Sequence, residues 1–210
     1  MSARQPVPRL AAVLLALAAT LAAPTAARAQ LTTDERAKLV KYLTDTRDQV
    51  VTESASLSEA QWSFKPGPDR WSVGEVVQHL SLAEPFIFGM QQKLVSGPAA
   101  SPEDRKKTQA QDEMVLKVIP DRTKKVNAPE PLQPVGKPAA ARGDVLTAFR
   151  EARTKTIDYT SKTSDDLRGR VGDSPMGPLD AYQWLLFIGA HTERHLAQLR
   201  EVKADPKFPR

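Results

Sequence analysis

"AYQWLLFIGAHTERHLAQLREV", residues 181–202, decides how this chain is read. Leu185, Ile188, Leu199 and Val202 recur at helical spacing, which predicts an amphipathic helix. Two of the three histidines in the protein, His191 and His195, stand in it four residues apart. On a helix that spacing leaves about 40° of rotation and about 6 Å of rise between them, so both rings leave from one side. Trp184, Ile188, Gln198 and Val202 share that side, which is therefore the inward one.

The third histidine, His79, closes the motif "RWSVGEVVQHL", residues 70–80. Ser72 and Glu75 have the spacing of a capping box, and a helix is expected over 72–94. Its stripe runs through Val76, Val77, Leu80, Ala83, Phe86, Ile87, Met90 and Leu94. His79 lies in line with Val76, Ala83 and Phe86, so it too points inward. Pro85 is expected to bend or break this helix, at a cost of about 3 kcal/mol if nothing accommodates it.

A lone inward histidine is ordinarily a core residue satisfied by one hydrogen bond. Three buried imidazoles without partners would each cost about 1–3 kcal/mol. A divalent cation satisfies all three at once and leaves coordination positions for water. The competing reading makes them stability elements only. A zinc-protease helix is excluded, because its glutamate must directly follow the first histidine. Here Thr192 holds that place, and Glu193 lies about 200° around the helix from His191.

Two further helices are expected. "TTDERAKLVKYLTDTRDQVV", residues 32–51, opens with Thr32 and Glu35 at capping-box spacing and carries Val40, Leu43, Arg47 and Val50 in helical rhythm. "SASLSEAQW" after it reads as a polar turn. "RGDVLTAFREARTKTIDYTSKT", residues 142–163, carries Val145, Phe149, Ala152, Thr156 and Tyr159. "GRVGDSPMG" breaks the chain before the last helix, in which Pro178 suits the first turn. Residues 96–141 contain a short helix at most and then the proline-rich "NAPEPLQPVGKPAAA". So long a connection can let the second and third helices run parallel, where short turns force antiparallel neighbours. The fold class is all-α: a four-helix bundle with a long crossover between helices two and three, and no sheet.

Residues 1–29 read as a signal peptide ahead of a single domain at 30–210. Arg4 and Arg9 precede an uncharged apolar run, Leu10–Ala23, and Ala27-Arg28-Ala29 offers a cleavage site. That run is shorter than the roughly 20 residues that span a bilayer, and no later segment matches it, so no membrane span is expected in the mature form. The expected location is periplasmic or extracellular. Losing Arg4, Arg9 and Arg28 lowers the formal charge of the 210-residue chain from +5 to +2. No basic run is interleaved with aromatics, which argues against nucleic acid as a partner. With no cysteine, disulfides and thiolate chemistry are excluded.

The two histidine motifs and the connecting "PDRTKKVNAPEPLQP" resemble the DinB-like family of metal-binding four-helix bundles, across about residues 34–203. The resemblance implies a site for a divalent metal ion such as nickel or zinc, with His79, His191 and His195 as ligands. It also implies a small-molecule substrate or ligand and leaves a homodimer open. Some members are transferases or isomerases that use bacillithiol or mycothiol, one is taken as a metal-dependent hydrolase, and others are domains of ergothioneine-type sulfoxide synthases. Most have no assigned activity. Small thiols are scarce outside the cytoplasm, so an export signal argues against thiol transfer here. Two functions are then open: a metal-dependent hydrolase or transferase, and a non-catalytic metal- or ligand-binding bundle.

No catalytic acid or base is assigned by the residues. Gln198, one turn beyond His195, is placed to hold a ligand ring or a metal-bound water. Glu75 is better explained as a cap than as a base. Trp71, Trp184 and Phe86 are expected in the core or lining the site, and nothing in the spacing places Tyr159 or Tyr182 near it.

Overall fold

Four long helices carry the structure, a computed structural model that describes residues 30–134 and 141–210. They are α1 (Thr33–Ser54), α3 (Val73–Val95), α6 (Arg142–Lys162) and α7 (Ala181–Lys203). Shorter elements join them: α2 (Glu59–Ser63), α4 (Pro102–Thr108), α5 (Gln111–Val118) and a 3-10 turn at Glu130–Leu132. The expected signal peptide lies outside the described residues. No helix among the described residues is long and apolar enough to cross a membrane.

The capping boxes read from the sequence form at Thr32–Glu35 and Ser72–Glu75. Two more appear, Ser58–Gln61 and Asp180–Gln183. The first turns the supposed polar turn into α2, which buries Trp62 against Gly74 of α3. The second corrects the start of the last helix. Pro178 is not in its first turn, because Leu179–Asp180 pairs as β2 with Val171–Gly172, β1, in a two-residue antiparallel ladder. That ladder is the one sheet among the described residues, beside an isolated bridge between Pro175 and Gly177. Gly177, at φ 97°, closes the turn between its strands, a backbone region open chiefly to glycine.

Pro85 does not break α3, which runs through it unbroken. Its cost of about 3 kcal/mol is outweighed by Val76, Val77, Leu80, Ile87 and Phe88, all buried, at about 1.5–3 kcal/mol each. Around it the inward line runs through Glu84, Ile87, Phe88 and Gln91. Phe86 therefore falls outside the core, 49% exposed, and so does Met90.

The helices stand in the ring order α1, α6, α3, α7, each packed on the two beside it. Apolar residues form two clusters, one around Leu43, Ile87, Leu185 and Ile188, the other around Val50, Leu80, Phe149 and Leu199. Between the clusters each helix contributes polar side chains: Thr46, Glu84, Arg153 with Thr156, and Thr192. Arg153 ties this layer together. Its guanidinium donates to both carboxylate oxygens of Glu84 at 2.8 Å, to the Leu43 carbonyl and Thr46 at 2.8 Å, and to Thr192 at 2.6 Å. One side chain of α6 thus binds all three other long helices.

Candidate metal centre

His79 on α3 and His191 and His195 on α7 meet beside that polar layer. His79 and His195 are 2% and 7% exposed, and His191 is half-buried. The Nε2 atom of His191 lies 3.3 Å from that of His79 and 3.2 Å from that of His195. Three ligand nitrogens, one from each ring, fall within 4.8 Å of one another. Bonds of about 2.0–2.1 Å at tetrahedral angles would set ligand nitrogens about 3.3 Å apart. The separations therefore fit one shared ion.

Hydrogen bonds at the far side of two rings say which nitrogens turn inward. His79 Nδ1 is 2.8 Å from the carbonyl oxygen of Leu132, which can only accept. Nδ1 therefore carries a proton, and Nε2 is the nitrogen turned to the other two rings. His195 Nδ1 is 2.8 Å from Gln198 Oε1, an oxygen that also accepts from Arg122 at 3.5 Å, so the same assignment follows. The Nε2 atoms of His79 and His195 thus both face His191 Nε2, which can donate a proton to only one of them. With all three rings neutral, as metal ligands must be, at least one contact of 3.2–3.3 Å sets lone pair against lone pair. A cation between the rings removes that repulsion, and partners at the back of ligand rings orient them in metal sites generally.

Electrostatics keep His191 and His195 neutral. Burial, reinforced by His79, Arg194 and Arg153, pushes His191 down to about 3. Burial and the neighbouring histidines hold His195 well below its ordinary value. Below pH 6.5 the unfolded chain therefore binds protons that the folded metal-free protein refuses, and stability falls with pH. Asp180 opposes this, because burial raises it to about 6 and favours the folded state as it protonates. Two histidines against one carboxyl leave a net loss. Denaturant titration of the metal-free protein should show lower stability at pH 4.5 than at pH 7, with the slope reduced in His191→Phe.

Aromatic rings enclose the triad. Trp71 stacks on His195 at 6.2 Å and tilts over His79 at 5.0 Å, while Phe187 stacks on His191 at 6.1 Å. Gly189, two residues before His191, lets α1 approach α7, since a Cβ there would fall 2.3 Å from the Tyr42 ring. No carboxylate is turned to the centre from the positions the sequence made suspect. Glu75 accepts from the Ser72 amide and Lys65, and Glu193 accepts from the Tyr42 hydroxyl at 2.7 Å. Tyr159 donates to Asp165, and Tyr182 lies under the Arg168 guanidinium, 3.8 Å from its ring centre. Both are occupied elsewhere.

A family model for the DinB superfamily matches residues 42–199. The chain belongs to the DinB superfamily. Within that family it is similar to the uncharacterized protein YuaE of Bacillus subtilis (strain 168), 28% identical over 165 residues that cover 76% of this chain and 93% of the relative. Its fold is similar to that of YfiT from Bacillus subtilis, with a TM-score of 0.54 at 13% identity, covering 84% of this chain and 90% of that one. YfiT is described as a probable metal-dependent hydrolase with an unusual four-helix bundle topology. At that identity the likeness shows the fold alone.

Sequence reasoning placed all three histidines, Gln198 and the Trp71 lining, and missed other surroundings. The Leu132 carbonyl and the polar layer around Arg153 were not found. A glutamate in the apolar stripe of one helix and an arginine in that of another was the available signal.

Proposed function

We propose that His79, His191 and His195 bind one divalent metal ion, such as nickel or zinc, and that the protein is an exported metal-dependent hydrolase or transferase acting on a small molecule. The observation that carries the reading is the convergence of the three Nε2 atoms, with contacts of 3.2–3.3 Å. Such an ion would act there as a Lewis acid on a substrate oxygen. Leu132 and Gln198 hold two of the rings with Nε2 turned inward. Trp71 and Phe187 limit the water that reaches them. Family membership and the description of YfiT support the hydrolase class.

A second reading, a non-catalytic metal-binding bundle, is favoured by one observation: Glu75 and Glu193 are both engaged away from the triad. Protein taken from outside the cytoplasm, with its N-terminus expected at Gln30, is the material for the test. Metal-loaded protein is assayed against ester, amide and thiol-adduct substrates, beside His191→Ala. Turnover lost at least a hundredfold in the variant supports the enzyme. No turnover by metal-loaded wild type leaves the binding bundle as the function.

A further inference from the structure

The connection from α3 to α6 is pinned to the triad at three places. The Leu132 carbonyl takes the Nδ1 proton of His79 at 2.8 Å. Arg194, which lies between the two α7 histidines, donates to the backbone carbonyls of Ile119, Asp121 and Lys124, the last at 2.7 Å. Arg122 grips Glu201 of α7 at 2.6 and 2.7 Å and reaches Gln198 at 3.5 Å, the residue that holds His195. Between these fixings the segment has little core of its own. Leu132 and Pro134 are its buried residues, and Val126 is 75% exposed.

We propose that residues 119–134 form a strap whose docking on α7 and metal binding at the triad are one coupled equilibrium, with Arg194 and Arg122 as positioning residues. This rests on the metal reading above. An undocked strap takes the acceptor from His79 and the Arg122 contact from Gln198, so two ligand rings lose their orientation. Coupling of this kind is reciprocal: what metal does for the strap, the strap does for metal. Arg194 spends its donors on carbonyls rather than on any carboxylate, as a fastener for backbone requires.

Hydrogen exchange of the full chain, with and without zinc and with bound zinc measured in parallel, reads the coupling directly. Zinc should slow exchange in peptides covering 119–134. Arg194→Met, which keeps the stem and deletes the guanidinium, should bind zinc about 10–100-fold more weakly and exchange quickly there even when loaded. Arg200→Met, whose guanidinium binds Glu53 and Gln49 instead, should keep wild-type affinity. If zinc binds stoichiometrically but leaves strap exchange unchanged, the coupling is overturned and the metal reading stands. If the wild type binds no zinc, nickel or other divalent ion, both fall. The wild-type comparison decides the matter even if a variant fails to fold.

Discussion

Metal at a hundredfold excess over its Kd is expected to raise the melting temperature by about 5–10 °C, and His191→Ala to abolish the rise. An ion that binds only the folded state at that excess contributes about 2.7 kcal/mol, and each kcal/mol moves a domain of this size by about 2–4 °C. The unfolded chain competes only weakly for the ion, because His79 lies 112 residues from His191 and only the fold completes the triad. His191 is the ligand to remove, since it is the half-buried one and its loss leaves the smallest void. Calorimetry with added zinc or nickel and then with chelator is the measurement. A melting temperature indifferent to both would reduce the histidines to stability elements.

Arg153→Met is expected to cost about 3–5 kcal/mol, the range for breaking a buried ion pair from one side, or about 6–20 °C in melting temperature. Arg153 is 0% exposed and Glu84 3%. Without the guanidinium, the Glu84 carboxylate keeps only the Thr156 hydroxyl and stays buried with its charge. Water cannot replace five hydrogen bonds at the centre of four helices. Glu84→Leu combined with Arg153→Met should recover most of the loss, because an apolar pair of similar volume removes the stranded charge. Urea denaturation of the two single variants and the double gives the coupling energy. A loss below about 1 kcal/mol for Arg153→Met would show that the layer rearranges freely.

The elements of the fold were largely legible. Capping residues and apolar periodicity act within a few residues, so the helices at 33–54, 73–95 and 142–162 could be read without knowing their neighbours. Some errors were local signals passed over, the capping boxes at Ser58–Gln61 and Asp180–Gln183; others came where a neighbouring strand or helix competed with local preference. Pro178 suits a first helical turn, yet pairing of Leu179–Asp180 with Val171–Gly172 moves the start of α7 to Ala181. Phe86 has the spacing of a core residue but is displaced by Glu84 and Phe88, which face the partner helices.

The chain by itself determined that three histidines sit on inward faces, because a helix converts sequence spacing into direction. It also determined family membership, through motifs around those histidines. Only the tertiary structure decided that their Nε2 atoms meet. Ring orientation and tautomer follow from acceptors such as the Leu132 carbonyl, 53 residues from His79, and the polar layer depends on a pair 69 residues apart, Glu84 and Arg153. Hydrogen bonds of that separation have no period in the sequence. They exist only once packing has brought the helices together.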